Sequence, residues 1–296
     1  MNLKMKYLII GGTGVIGYKI VQYLLKENNN VEFTYLNNKQ STKNSHFLDI
    51  QNSLMTKNLI KKISPDIVIH CSALSNVDLC ETEKSMAKSI NILGTKNVIE
   101  GCKEANSKIV YVSTSFVFDG KQKYSENDLT SPSTFYGYTK LKGEEIVKES
   151  NLPFLILRTD QPYCWIEQWQ HTNSVIRILD TLRENKEFFE VNDWYNVPTY
   201  VPDFVNAAMK LIQLKKEGVF HLCGSDFINR HEWALLTAEI FHLKPNLIKP
   251  INSSSLNLPV KRVNGNLSND KLFNETGIKM IGVKKGLMEM FKKSHT

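Results

Sequence analysis

The sequence predicts an α/β fold, a doubly wound parallel sheet of the Rossmann type with a smaller, discontinuous lobe beside it. Three observations carry that prediction. Short, nearly continuous apolar runs alternate with helix-period segments through the first 160 residues, as strands buried on both faces require. A glycine triplet, Gly11, Gly14 and Gly17, lies between the first apolar run and the first helical segment. Small polar residues follow the ends of the later runs, where ligands bind in sheets of this kind.

Taken in order, residues 7–10 form the first strand. From Tyr18 the apolar residues Ile20, Val21, Leu24 and Leu25 recur at helical period, and 31–36 is the next strand. Glycines in that turn let backbone N–H groups approach a diphosphate, whose charge the helix start favours. The stretch "GGTGVIG" is thus the candidate cofactor loop, with Gly11, Thr13, Gly14, Val15, Ile16 and Gly17. Residues 65–73 read as a strand ending in Cys71, Ser72 and Ala73, and 91–106 as a helix tightly packed at Gly94 and Gly101. A further strand, 107–118, ends in Ser113, Thr114 and Ser115, and another spans 152–159. Beyond Asp160 the rhythm changes. Residues 1–160 are expected to form the dinucleotide domain, with about 198–224 returning to it and contributing a strand at 219–223. Residues 161–197 and 225–296, with helices near 230–242 and 283–293, form the smaller substrate-binding lobe. The cleft between them is the expected substrate site.

Composition narrows the function. An apolar content of 42% is ordinary for a globular chain, and no run approaches the roughly 20 apolar residues of a membrane span. The opening "MNLKMKYLIIGGTG" ends its short apolar run in a glycine turn, so it reads as a strand rather than an export signal, and the cytoplasm is the default. The net charge of +7 is mostly lysine dispersed over helix flanks, which argues against nucleic acid and suits an anionic small molecule. Five scattered cysteines without a Cys-x-x-Cys pair indicate free thiols, not disulfides or a metal site.

The stretch "YGYTK" at 136–140 bears the chemistry. On a helix Tyr136 and Lys140 share a face, whereas Tyr138 points elsewhere. A phenol has a reference pKa near 10, and a neighbouring ammonium is expected to lower it. Beside a nicotinamide, Tyr136 becomes a proton donor to a carbonyl oxygen, with Lys140 also holding cofactor hydroxyls. Ser113, Thr114 and Ser115 are candidates for a second donor, strand alternation setting Thr114 opposite its neighbours. The second strand ends in "YLNNKQSTKN", with Asn37, Asn38 and Lys39 and no acid before Asp49. That favours NADP(H), its 2′-phosphate paired with Lys39, over NAD(H).

These motifs together resemble the extended short-chain dehydrogenase/reductases, most of all their dTDP-4-dehydrorhamnose reductase branch. The likeness runs nearly end to end: "GGTGVIG", "IHCSALSNVDLCE", "YVSTSFVFDG", "YSENDLTSPSTFYGYTKLKGEE", "ILRTD", "VPTYVPD" and "GVFHLCG". It implies that Thr114 is the catalytic hydroxyl, Tyr136 the general acid and Lys140 its partner. It also implies that Asp49 and Ile50 lie against the adenine and Ala73 along the diphosphate. The implied reaction is reduction of a 4-keto group on a nucleotide-activated deoxysugar. Arg177, Arg183 and Arg262 are candidates for its diphosphate and Trp165, Trp169 and Trp194 for its base, in a chain acting alone or as a homodimer. The resemblance also includes nucleotide-sugar 4-epimerases and the regulatory beta subunit of methionine adenosyltransferase, a non-catalytic relative that keeps the Tyr/Lys pair. Dehydration is disfavoured, because the acid pair that related dehydratases carry after the threonine is replaced by Ser115 and Phe116. Further departures from the branch are "QPYCW" after "RTD" and Val263 after Arg262, all around the expected substrate.

Overall fold

The structure, a computed structural model, describes residues 5–40 and 42–294. Its first half comprises β1 (Lys6–Ile10), α1 (Val15–Lys26), β2 (Asn30–Tyr35), β3 (Ser45–Phe47), α2 (Ser53–Ile63), β4 (Ile67–His70), α3 (Val77–Thr82), α4 (Lys84–Ala87), α5 (Gly94–Ala105), β5 (Lys108–Thr114), α6 (Phe135–Lys148) and β6 (Phe154–Thr159). There follow β7 (Pro162–Tyr163), α7 (Ser174–Arg183), β8 (Phe188–Val191), β9 (Tyr195–Asn196), β10 (Thr199–Tyr200), α8 (Val201–Gln213) and β11 (Gly218–His221). The chain closes with β12 (Ile228–Asn229), α9 (Arg230–Ile240), β13 (Ile248–Ile251), α10 (Asp270–Thr276) and α11 (Val283–Lys293).

Seven strands form one parallel sheet in the order β11-β6-β5-β4-β1-β2-β3. The chain runs outward from β1 through β2 and β3, then crosses back to lay β4 on the other side of β1. That reversal sets the ends of β1 and β4 side by side, the switch point at which such sheets take ligands. Alternation along β1 feeds two cores. Tyr7 and Ile9 pack with Ile20, Val21 and Leu24 of α1 and with α8, while Leu8 and Ile10 pack with Ile60 of α2 and with Val98 and Ile99 of α5. Three two-residue to four-residue pairings, β7 with β10, β9 with β12 and β8 with β13, organise the chain beyond Asp160.

Several boundaries differ from the sequence reading. α1 begins at Val15 rather than Tyr18, because extended Gly14 caps it and already accepts the Tyr18 N–H. The strand expected to reach residue 118 stops at Thr114, whose hydroxyl accepts the Phe116 N–H and curls 115–117 into a 3₁₀ turn. A π-helical turn, Lys88–Leu93, precedes α5. β3 carries no sequence signal, since three edge residues are too few for any period to show.

Candidate active site

A cavity of about 600 Å³ opens at the switch point, within the size range of small-molecule sites. One wall is the glycine loop with Gly11, Thr13, Gly14, Val15, Ile16 and Gly17; another is the β4 end with Cys71, Ser72 and Ala73. Gly11 has a φ of +79°, and a Cβ there would meet the Ser72 nitrogen at 2.9 Å, so the β1 and β4 ends touch only through glycine. Gly14 differs: its Cβ would meet nothing nearer than the Gly11 oxygen at 3.3 Å, so its missing side chain is space given to the cavity. Leu48 and Ile50 line an apolar stretch, and Asn37 and Asn38 line the β2 end. Asp160 is the one carboxylate among the lining residues. A bare glycine cradle, an apolar slot and a β2 end without acid fit a nicotinamide dinucleotide phosphate.

At the cavity's other end stand Thr114, Tyr136 and Lys140. The geometry chooses among the three hydroxyls. Ser113 Oγ donates to Glu144 at 2.7 Å, and Ser115 Oγ donates to Asp160 at 2.7 Å. Thr114 is left facing the Tyr136 phenol, whose pKa its hydroxyl lowers. Tyr136 is held edge-on to Phe116, their centroids 5.7 Å apart, while Tyr138 is exposed and rests on Phe135.

The expected effect of Lys140 on Tyr136 is not what the structure shows. Burial pushes the phenol up from its usual range, and the Thr114 hydroxyl only partly offsets this. The Lys140 ammonium instead donates to the Val112 carbonyl at 2.8 Å and lies 4.0 Å over the Tyr111 ring. Its own pKa is pulled down to about 7 by burial, with Glu144 opposing. A protonated phenol is nonetheless the form a general acid needs at neutral pH. Burial likewise raises the Cys71 thiol to about 12, so this cavity residue is a neutral packing group.

α6 owes its position to a buried network. Arg158 on β6 grips Glu144 with Nε at 2.8 Å and Nη2 at 2.7 Å. Its Nη1 faces His221 Nε2 at 3.3 Å, and His221 Nδ1 donates to the Ser268 carbonyl at 3.0 Å. Burial would raise Glu144, but the Arg158 hydrogen bonds and charge outweigh it and hold the carboxyl below its usual range. The network joins β5, α6, β6 and β11 behind the catalytic pair. Removing Glu144 or Arg158 alone strands a buried charge, and Glu144→Gln or Arg158→Leu is expected to cost about 3–5 kcal/mol, read from urea denaturation midpoints. A loss within experimental error of zero would show the pair to be incidental.

Some expected site residues lie elsewhere. Lys39 is exposed and outside the cavity lining, and Asp49 accepts from the Gln51 backbone instead of facing the cavity. Of the arginines only Arg262 reaches the rim, paired with Asp78; Arg177 pairs with Glu190 and Arg183 with Asp180. Trp194 lines the rim, Trp165 donates to the Met290 carbonyl, and Trp169 packs on Tyr18. The site reading omitted Asn91, whose amide bridges Leu74 to Thr139 of α6. It also omitted Arg230, which donates to the cavity residues Gln161 and Ser174. Asn91 stands among apolar neighbours, Ile90, Ile92 and Leu93, but Asn97 and Asn106 follow in the same segment and nothing local separates it from them; Arg230 carried no signal either.

The family described as RmlD substrate binding domain matches residues 5–296. The chain belongs to that family. Within it, similarity extends to the dTDP-4-dehydrorhamnose reductase of Shigella flexneri, 26% identical over 304 residues, covering 97% of this chain and 98% of that protein. The mouse (Mus musculus) methionine adenosyltransferase 2 subunit beta is 26% identical over 257 residues, 84% of this chain and 76% of that protein. The crystal structure of the Bacillus anthracis dTDP-4-dehydrorhamnose reductase in complex with NADP superposes with a TM-score of 0.89 at 26% identity, covering 98% of this chain and 100% of that one. The fold found here, with its seven-stranded parallel sheet, thus matches that structure over nearly its whole length.

Proposed function

We propose that this protein is an NADPH-dependent reductase of the 4-keto group of a nucleotide-activated deoxysugar, with NADH as the lesser cofactor. The observation that carries the reading is the Thr114 hydroxyl facing the Tyr136 phenol beside Lys140 in one cavity with the glycine loop. The glycine loop and the β4 end would hold the cofactor's diphosphate, and Leu48 with Ile50 its adenine. When bound, the nicotinamide supplies the hydride. Thr114 orients the substrate carbonyl, Tyr136 gives its phenolic proton to the developing alkoxide, and Lys140 supplies positive charge beneath both. Residues 161–197 and 225–296, which pair with each other through β8 with β13 and β9 with β12, serve as the substrate lobe. Arg262 and Trp194 at the rim suit the substrate's phosphates and base. The chain works in the cytoplasm, alone or as a homodimer.

The test is a panel of nucleotide 4-keto-6-deoxysugars with NADPH, each product assigned by NMR. Turnover of at least one member is expected. Tight cofactor binding with no oxidation across the panel would instead support a cofactor-binding subunit, the reading favoured by the likeness to the mouse protein.

Lys140 adds a pH test. Its pKa of about 7 in the free protein should rise when an anionic dinucleotide binds, since a nearby negative charge favours the ammonium. NADPH binding is then expected to take up protons above pH 7 and to weaken as pH rises further. Calorimetry at pH 8 in buffers of different ionisation enthalpy measures the uptake, and Lys140→Met should abolish it. Equal heats in all buffers for the wild type would refute the linkage.

A further inference from the structure

The segment between β7 and α7 belongs to the chain beyond Asp160, yet it is fastened to the dinucleotide side at three points. Gln170 Nε2 donates to the Thr13 carbonyl of the glycine loop at 2.9 Å. Asn38 Nδ2, just past the end of β2, donates to the Trp169 carbonyl at 3.0 Å. The Trp169 ring stands edge-on to Tyr18 of α1, 5.7 Å between centroids. The segment is also braced within itself. Glu167 and Gln170 exchange hydrogen bonds, the Glu167 N–H to Gln170 Oε1 at 3.1 Å and the Gln170 N–H to the Glu167 carbonyl at 3.0 Å. Asn173 Nδ2 donates to the Cys164 carbonyl at 2.8 Å, and its Oδ1 caps α7. Gln170 and His171 line the same cavity as Thr13, Asn37 and Asn38.

The glycine loop and the β2 end are the two elements that flank an adenosine ribose in a Rossmann site, and this strap spans from one to the other. Lys39, the obvious basic residue there, is outside the lining. The polar residues that do line this end are the hydroxyl residues Thr13, Thr34, Tyr35 and Thr172, amides such as Asn37 and Gln170, and one imidazole, His171. We propose that the strap 167–172 forms the outer wall of the adenosine-ribose subsite, and that His171 with Asn37, not Lys39, recognises the 2′-phosphate of NADPH. The proposal rests on the cofactor reading above. It moves cofactor choice from the loop after β2 to a segment supplied from beyond the dinucleotide half, and it requires the strap's ties to be broken or bypassed at each cofactor exchange. Imidazole and amide N–H groups donate to a dianionic phosphate through charge-assisted hydrogen bonds, which a ribose hydroxyl cannot match.

The experiment is binding calorimetry of NADPH, NADH, 2′,5′-ADP and 5′-ADP on the wild type and on His171→Ala, Asn37→Ala and Lys39→Ala. Tryptophan fluorescence, read against a Trp169→Phe control, gives a second signal. His171 is exposed, so its variant should fold, as circular dichroism can verify. His171→Ala is expected to weaken NADPH and 2′,5′-ADP by about tenfold or more, one charge-assisted hydrogen bond, with NADH and 5′-ADP changed less than about twofold. Asn37→Ala should act in the same direction more weakly, and Lys39→Ala should leave the ratio of the two cofactors unchanged. Binding should also quench a fluorescence component that Trp169→Phe removes. An unchanged NADPH-to-NADH ratio in His171→Ala, or a collapsed ratio in Lys39→Ala, overturns the proposal while leaving the cofactor reading intact. Failure of the wild type to bind either dinucleotide would instead sink the cofactor reading itself.

Discussion

Tyr136→Phe is expected to lower kcat by about 10²–10⁴-fold, the usual worth of a positioned acid, with fold and NADPH affinity retained. The substitution removes one hydroxyl from a ring whose edge-on contact with Phe116 survives, so the lost rate reports the phenolic proton together with its contact to Thr114. Tyr138→Phe should change kcat only a few-fold, because that ring is exposed on another face of α6. Lys140→Met should damage both turnover and cofactor affinity, since it deletes a buried charge fixed between Val112 and Tyr111. Thr114→Val should lower kcat with little effect on cofactor binding. Ser115→Ala acts differently: it removes the donor to buried Asp160, and should cost about 1–3 kcal/mol of stability more than it costs in rate. Steady-state kinetics with urea denaturation of the five variants separates these outcomes. A dead Tyr138→Phe beside an active Tyr136→Phe would refute the assignment.

The second large effect is expected from Gly14→Val, which should abolish NADPH and NADH binding in calorimetry while the protein still folds. Gly14 has φ −72° and ψ 168°, a conformation open to any residue. A Cβ there has only the Gly11 oxygen near it, at 3.3 Å, so the added side chain projects into the cavity where a diphosphate must approach. Gly17→Val provides the contrast. Its Cβ would collide with the Gly11 carbonyl, so that variant should lose stability rather than binding alone. Wild-type affinity in Gly14→Val would remove the dinucleotide from this loop.

Much of the site was legible because its parts are local. The glycine loop announces itself by three glycines between an apolar run and a helix, and a four-residue spacing sets Tyr136 and Lys140 on one helical face whatever surrounds them. The end of β5 was less so. Three consecutive hydroxyls offered three candidates, and alternation could distinguish Thr114 from its neighbours without saying which faced the cavity. The partners that occupy Ser113 and Ser115 are Glu144, 31 residues on, and Asp160, 45 residues on. No window of sequence contains them.

The charge of Lys140 shows the same division. Sequence spacing fixed its neighbours along the helix, and a reference pKa suggested an ammonium that acidifies Tyr136. Burial against Tyr111 and Val112 decided otherwise, because desolvation depends on everything packed around a group and not on its place in the chain. The cofactor end follows suit. The absence of an acid after β2 can be read directly, but whether Lys39 or a strap 130 residues away meets the ribose is a matter of which surfaces the fold brings together. By itself, then, the sequence determined the parallel sheet, the glycine cradle and the Tyr136–Lys140 pair, since each leaves a local mark: apolar runs alternating with helix-period segments, glycines at fixed spacing, and a four-residue helical repeat. Only the tertiary structure decided which hydroxyl faces Tyr136, which arginine reaches the rim and what covers the cofactor site, because those depend on long-range packing that no local period encodes.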